Sequence, residues 1–109
     1  MTVRELSESL ALEVLCLPDP EREVNGAYTG DLLSWVMGRA NADNVWVTVM
    51  TNANTVAVAT LTDVSLVIVT DGSEMPPETL ALAKEKGVNL TRTTASSYEV
   101  CVRLGGLFS

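Results

Sequence analysis

The chain has 109 residues, of which 47% are hydrophobic and 19% charged. These values are typical of one globular domain and too apolar for a disordered chain. Seven basic and fourteen acidic residues give a formal net charge of −7, which argues against a nucleic-acid surface or docking on anionic lipid. A small anionic ligand stays compatible, because helix N-termini and backbone amides hold phosphate without a positive protein.

The composition also excludes most kinds of catalytic site. The chain has no histidine, which excludes Ser-His-Asp and Cys-His catalytic units. Cys16 and Cys101 are too few for a typical structural zinc site, and we interpret them as buried thiols, with a disulfide or a reactive thiol as the alternatives. Neither glycine-rich phosphate motif, GxxxxGK[ST] or GxGxxG, is present. We therefore expect no enzymatic activity, no metal and no cofactor; a small enzyme that uses Asp31 or Asp71 is the less favoured alternative.

Two features bear on location in the cell. No apolar run approaches the roughly 20 residues that a membrane span requires. The first residues, Met1 to Glu5, lack the apolar segment of a signal peptide. Both features favour a cytoplasmic protein.

The first third of the chain predicts alternating short elements. Thr2 and Glu5 form a capping-box pattern, which predicts a helix at its start. Pro18 and Pro20 end the first strand, because proline cannot continue a ladder. The predicted elements are a helix Val3–Leu10, a strand Leu12–Leu17, a solvated loop Glu21–Glu23 and a short strand Val24–Tyr28.

A second helix is predicted to begin at Thr29 and to stop at Gly38 and Asn41. Thr29 is the expected N-cap, and Asp31 in the first turn complements the helix dipole. The apolar stripe of this helix comprises Leu32, Leu33, Val36 and Met37. Trp35 lies off that stripe, so it either covers the core or stands exposed at a contact surface.

Two apolar runs, Val45–Met50 and Ser65–Thr70, predict strands that are covered on both faces, as parallel strands are. The segment Thr55–Asp63 between them is ambiguous, and a hairpin turning at Asn52–Asn54 is one alternative. We favour a helix, because successive parallel strands need a crossover.

The last third predicts a helix, a strand and a final helix. Pro76 to Lys86 forms the first helix, with Gly87 as its C-cap. The strand Val88–Thr93 carries Asn, Thr and Arg side chains, which favour a half-exposed or edge position. The final helix is predicted to end at the pair Gly105-Gly106 and to turn four residues inward: Tyr98, Cys101, Val102 and Leu104.

Together these elements predict a single α/β domain over residues 1–109, with a mostly parallel central sheet flanked by helices. Three strand-to-helix loops then meet at the carboxyl edge of the sheet, where ligands bind in open α/β folds. The expected ligand-binding residues are the polar and small residues of these loops: Thr51, Asn52, Asn54, Thr70, Asp71, Gly72, Thr94 and Ser96. Such residues also cap helices regardless of function. Arg92 is either a solvated charge or a contact for an anion.

Five segments of the chain carry a resemblance to a known family: Tyr28–Ser34, Asn54–Ala59, Leu61–Asp63, Leu66–Thr70 and Ala83–Val88. Through these segments the chain resembles the DRTGG-domain family, especially its small stand-alone members. The Asp-Arg-Thr-Gly-Gly signature itself is absent, and Asn52-Ala53-Asn54-Thr55 stands at the matching position. The arginine through which the family could contact a phosphate is therefore missing at that position.

The resemblance implies a fold similar to the N-terminal domain of HPr kinase/phosphorylase and a tendency to form homodimers. It implies no enzymatic activity, since the kinase chemistry of that relative belongs to a separate P-loop domain. Relatives of the domain lie between CBS domains in regulatory pyrophosphatases and in some phosphotransacetylases. The stand-alone members occur in anaerobic bacteria, some encoded near iron-only hydrogenases.

Two functions follow as hypotheses. The first is a non-catalytic regulatory or ligand-sensing homodimer that binds a small anionic or nucleotide-like ligand at the carboxyl edge. The alternative is a protein-interaction module associated with a metabolic or redox enzyme such as an iron-only hydrogenase. The expected contact residues are Tyr28, Asp31, Trp35 and Met37.

Overall fold

A computed structural model describes residues 1–108 as five helices and five strands. In chain order these are α1 (Val3–Ser9), β1 (Glu13–Cys16), β2 (Gly26–Thr29), α2 (Leu33–Arg39), β3 (Asn44–Thr48), α3 (Ala53–Thr62), β4 (Leu66–Val69), α4 (Pro77–Lys86), β5 (Leu90–Arg92) and α5 (Ser97–Phe108). The strands form one sheet in the order β1-β5-β4-β3-β2. Strands β2 to β5 are parallel, and β1 pairs antiparallel with β5. The predicted fold class, α/β with a mostly parallel sheet, is confirmed.

The sheet is covered on both faces by helices. Trp46 of β3 points into a core cluster that also contains side chains of α2, α3 and α4. Its neighbours Val45 and Val47 point the other way, into a second cluster with side chains of α1 and α5. Because both faces of β3 are buried, every residue of that strand is apolar or internally hydrogen bonded.

The crossover between β3 and β4 is a helix, as predicted, and not a hairpin. Helix α3 begins after Asn52, whose side chain accepts a hydrogen bond from the backbone N–H of Asn54 at 2.9 Å. It ends at Asp63, which adopts the left-handed conformation. Gly87 does the same at the end of α4, with φ 73°, which confirms the predicted C-cap.

The prediction that Val88–Thr93 is half-exposed or at the edge is wrong. Strand β5 lies inside the sheet between β4 and β1, and Thr91 is fully buried. The hydroxyl of Thr91 donates to the carbonyl of Val67 at 3.1 Å, so this polar side chain is satisfied without solvent. The edge strand on that side is β1, which is irregular between Val14 and Cys16.

The predicted start of the second helix is also wrong. Thr29 belongs to β2, and its hydroxyl donates to the carbonyl of Val47 at 3.2 Å. Helix α2 begins only at Leu33, so Asp31 precedes its first turn. Within the helix Val36 alone is fully buried, whereas Leu32 and Met37 of the predicted stripe are 62% and 45% exposed.

Helix α5 differs from its prediction in two ways. It continues through Gly105 to Phe108 instead of ending at the glycine pair. Its buried residues are Val100 and Leu104, which lie four apart on one helix face, whereas Tyr98 and Val102 face solvent. The prediction is therefore confirmed for Leu104 and for Cys101, which packs against the same core cluster, and wrong for Tyr98 and Val102.

Arg22, predicted to lie in a solvated loop, joins two strand starts. Its guanidinium donates to Asp43 and Asp63, which precede β3 and β4, at 2.9 Å in each case. Burial disfavours the charged guanidinium, but the hydrogen bonds with both carboxylates outweigh it and raise the pKa of Arg22.

The two thiols are free and half-buried. Cys16 donates to the carbonyl of Val88 at 3.4 Å. Burial raises the pKa of Cys16, against smaller opposing effects of Lys84 and a backbone hydrogen bond, which keeps the less reactive thiol form. None of the helices within residues 1–108 is long and apolar enough to cross a membrane.

Candidate functional site

Four parallel strands end at the same edge of the sheet, which places their following loops side by side. These loops join β2 to α2, β3 to α3, β4 to α4 and β5 to α5. Thr70 donates its backbone N–H to the carbonyl of Thr48, and Thr93 donates to Val69, so neighbouring loops start in register. The carboxyl edge is therefore one continuous surface, as the sequence predicts.

The β2–α2 and β3–α3 loops are joined by Asp31. Its carboxylate accepts from the hydroxyl of Thr48 at 2.8 Å and from the backbone N–H of Val49 at 3.0 Å. The indole N–H of Trp46 donates to the carbonyl of Gly30 at 2.9 Å, which fixes the same loop from below. Asp31 is thus a structural link between two loops in addition to being exposed.

A tight turn after β4 forms the centre of this edge. Asp71 and Gly72 have φ values of 62° and 65°, which matches a type I′ turn and the preference of Asp-Gly for that conformation. Their backbone N–H groups donate to the carbonyls of Ala95 and Thr93, both at 2.9 Å. The β4–α4 turn and the β5–α5 loop therefore form one hydrogen-bonded unit.

The hydroxyl of Thr70 connects this unit to α5. It donates to the carboxylate of Asp71 at 2.8 Å and lies 3.0 Å from the hydroxyl of Ser97. Ser96 and Glu99 make a capping box, in which the Ser96 hydroxyl accepts from the Glu99 N–H at 3.2 Å. These polar groups serve the fold first, and a ligand has to share them.

A cavity of about 250 Å³ lies beside this unit. Its lining comes from the α1–β1 turn, the end of β5 and the two joined loops: Ala11, Glu13, Gly72, Arg92, Thr93 and Thr94. The Arg92 guanidinium donates to both carboxylate oxygens of Glu13, at 3.2 and 3.0 Å, and is 29% exposed. The cavity thus offers hydroxyls, backbone groups and a guanidinium that is already paired with a carboxylate. This set suits a sugar hydroxyl, and it suits an anion that replaces Glu13 on Arg92.

The eight predicted ligand-binding residues divide between two places on this edge. Gly72 and Thr94 line the cavity. Thr70, Asp71 and Ser96 belong to the adjoining hydrogen-bonded loops but do not line it. Thr51, Asn52 and Asn54 belong to the start of α3 and do not line it.

Two buried hydroxyls at this edge keep unused hydrogen-bonding capacity. Thr55 and Thr79 occupy the third positions of α3 and α4 and are each 1% exposed. Neither hydroxyl has a hydrogen-bond partner within residues 1–108. Such groups are uncommon in folded proteins.

The predicted contact residues lie on and beside α2. Trp35 is 54% exposed and Met37 45%, while Tyr28 is half-buried in β2. The guanidinium of Arg39 covers one face of the Trp35 ring at 3.8 Å from its centroid, as a cation–π pair. Trp35 and Met37 lie two positions apart in α2 and therefore expose apolar side chains on different sides of the helix.

Sequence reasoning did not place Ala11, Glu13 and Thr93 at the cavity. Glu13 reaches Arg92 only because β1 pairs antiparallel with β5 and puts the two residues opposite each other. The local signal was Arg92 itself, a charged residue at the end of a buried strand. No group of three or more His, Cys, Asp or Glu side chains suited to a metal ion occurs within the described part of the chain.

Comparisons with known proteins support the fold. No protein-family model matches the chain, and a search of the curated proteins finds no match. Among solved structures, the chain is similar to the CBS and DRTGG domains of the regulatory region of a pyrophosphatase from Clostridium perfringens, in complex with its activator diadenosine tetraphosphate. The TM-score is 0.70 at 19% identity, over 91% of this chain and 43% of that one. The resemblance to the DRTGG family is confirmed at the level of the fold.

Proposed function

We propose that the chain is a non-catalytic regulatory domain that senses a small anionic, nucleotide-like ligand and works as a homodimer. The observation that carries the proposal is the cavity at the carboxyl edge of the parallel sheet, where Arg92 lies beside Gly72 and Thr94. Ligands of open α/β sheets bind at this edge. The solved structure of similar fold was obtained with a dinucleotide activator, which supports a ligand of this chemical class.

Charge determines how such a ligand would bind. The chain carries a net charge of −7, so an anion gains little from the overall field and needs a local positive group. Arg92 supplies this positive group, and Glu13 holds the guanidinium in place until the ligand replaces it as the hydrogen-bond acceptor. Thr94 and the loop that begins at Thr51 and includes Asn52 and Asn54 complete the surface on either side of the β4–α4 turn.

Thermal shift and calorimetry with AMP, ATP and diadenosine tetraphosphate test the proposal. A ligand present at 100 times its dissociation constant adds about 2.7 kcal/mol to the free energy of unfolding. For a domain of this size that raises Tm by roughly 10 °C or more. Inorganic phosphate serves as the comparison that separates a nucleotide site from a general anion site.

Matched variants locate the ligand. Arg92→Met should remove most of the shift, whereas Arg4→Met, which breaks an exposed arginine–glutamate pair elsewhere, should leave it unchanged. No shift with any nucleotide at millimolar concentration would rule out the nucleotide-sensing function. An equal loss of the thermal shift in both variants would mean that the ligand binds outside the cavity.

A second candidate function is a protein-interaction module, and the exposed Trp35 and Met37 favour it. Aromatic and methionine side chains are enriched at interfaces. Co-elution of the chain with an iron-only hydrogenase, lost in Trp35→Ala, would support this function. Co-elution that persists in the variant would assign the contact to another surface.

A further inference from the structure

Helix α5 turns an apolar face to solvent on the side opposite its core contacts. Tyr98 is 78% exposed and Val102 57%, whereas Val100 and Leu104 pack on the sheet. Gly105 continues the exposed stripe, since it lies seven residues after Tyr98, about 10.5 Å along the axis and within about 20° around it. An aromatic ring, a valine and a glycine thus form one line on the helix surface.

The glycine in this stripe has no explanation within the fold. Within a helix glycine is less favourable than alanine, because its backbone loses more conformational freedom on folding. A Cβ atom added at Gly105 would meet nothing within 4 Å among the described residues, so the packing of residues 1–108 does not require it. A missing side chain on an exposed helix face leaves room for another chain to approach.

We propose that α5 pairs antiparallel with α5 of a second copy about a two-fold axis near Val102. In this arrangement Tyr98 of one copy lies over Gly105 of the other. The two-fold axis generates the same contact a second time with the two copies exchanged. Such a contact is isologous, as a C₂ interface requires. The inference rests on the homodimer of the proposed function and names the surface that forms it.

Charge supports a second copy as the occupant. The charged residues of α5 are Glu99 and Arg103, four positions apart on the same flank of the stripe. In the antiparallel pair each Glu99 lies within about one residue rise of the partner's Arg103, because positions 98 and 105 are aligned. The face is locally neutral and self-complementary in a chain of net charge −7, which otherwise repels its own copies.

Both charged groups have present contacts that leave them accessible. One carboxylate oxygen of Glu99 accepts from Ser96 in the capping box. Arg103 donates to the carbonyl of Ser9 at 3.4 Å, a long hydrogen bond, and remains exposed. The surface around Trp35 differs, since its charged neighbour Arg39 already covers the ring.

Size-exclusion chromatography with light scattering tests the pairing. The wild-type chain should have twice its mass of 11.6 kDa. Gly105→Gln should be monomeric, or raise the dimer dissociation constant at least tenfold, with an unchanged circular dichroism spectrum, because glutamine favours a helix. Gly38→Gln is the matched control: Gly38 is exposed in α2, an added Cβ there also meets nothing within 4 Å, and the dimer should persist.

Charge reversal gives an independent readout. Arg103→Glu should weaken the dimer, and adding Glu99→Arg should restore it, with circular dichroism confirming that each variant is folded. A dimer that survives Gly105→Gln unchanged, or one that Trp35→Ala abolishes, would overturn the α5 interface while the homodimer stands. A wild-type chain that is monomeric at millimolar concentration would overturn both the α5 interface and the homodimer. It would not bear on nucleotide binding, which the thermal-shift experiment measures separately.

Discussion

The two edges of the sheet use polar groups in different ways. At the amino edge, hydrogen bonds join residues far apart in sequence, such as Arg22 with Asp63 and Asn89 with Asp19. At the carboxyl edge, long-range bonds such as that of Thr48 with Asp31 occur as well. They lie beside local caps, such as Asn52 with Asn54 and Ser96 with Glu99. The carboxyl edge therefore combines links between distant segments with local helix caps, whereas these bonds of the amino edge serve only to link distant segments. That division is what a binding site on a stable scaffold requires.

The buried amide of Asn89 should show the largest effect on stability. Asn89 is 3% exposed, donates to the carbonyls of Asp19 and Ser65, and accepts from the Asp19 N–H. Asn89→Ala leaves the buried Ser65 carbonyl and two partly buried backbone groups of Asp19 without this partner, and should lower the free energy of unfolding by about 2 kcal/mol in urea titrations. Asn52→Ala, at the carboxyl edge, should cost only about 1 kcal/mol, as loss of an N-cap. Equal losses of unfolding free energy in the two variants would contradict the difference between the two edges.

The two arginines sharpen the comparison through charge. Arg22→Met removes a guanidinium with two carboxylate partners and should lower the free energy of unfolding by about 1.5 kcal/mol. Arg92→Met removes one pair whose Glu13 is 54% exposed, and should cost less than about 1 kcal/mol. Chemical denaturation at low and high salt measures both. A larger loss for Arg92→Met would mean that the carboxyl edge also holds the strands together.

Sequence patterns predicted what depends on neighbouring residues. The apolar runs around Trp46 and Ile68 indicated buried parallel strands, and the Gly87 cap indicated the end of a helix. The same patterns missed the role of Arg22, because its partners lie 21 and 41 residues away. They misplaced β5, because a threonine whose hydroxyl bonds to the next strand is indistinguishable in sequence from an exposed one.

The candidate site was likewise predictable only where it depends on neighbouring residues or on strand direction. The carboxyl edge follows from strand direction alone, so the loops at Thr70 and Thr94 were expected to meet there. The partnership of Arg92 with Glu13 spans 79 residues and depends on the antiparallel β1, which no local pattern specifies. Helix α5 shows the remaining limit: Leu104 was expected to face the core, but the burial of Val100 and the exposure of Tyr98 follow only from how the helix packs on the sheet.

Substitutions at two glycines with left-handed backbone conformations distinguish an effect on stability from an effect on ligand binding. Gly72 at the carboxyl edge has φ 65° and Gly87 at the amino edge has φ 73°. Alanine at either position should lower the free energy of unfolding by about 1 kcal/mol, from backbone strain alone. Gly72→Ala should in addition weaken the nucleotide-induced thermal shift, because Gly72 lines the cavity. Equal thermal shifts in the two variants would argue that the ligand binds elsewhere.

The smallest expected effect concerns the capping box of α1, which lies against the Arg22 segment. Hydrogen bonds from the backbone N–H and then the hydroxyl of Thr2 lower the pKa of Glu5 below its ordinary value of 4.5. A lowered folded-state pKa stabilises the fold above the unfolded-state value, and that contribution is lost as the pH falls through the folded-state value. Glu5→Gln keeps the cap but not the charge, so wild type should be slightly more stable at pH 7. The difference should shrink in thermal melts as the pH falls below 4.5. A difference that does not change with pH would assign the effect to packing of the side chain and not to its charge.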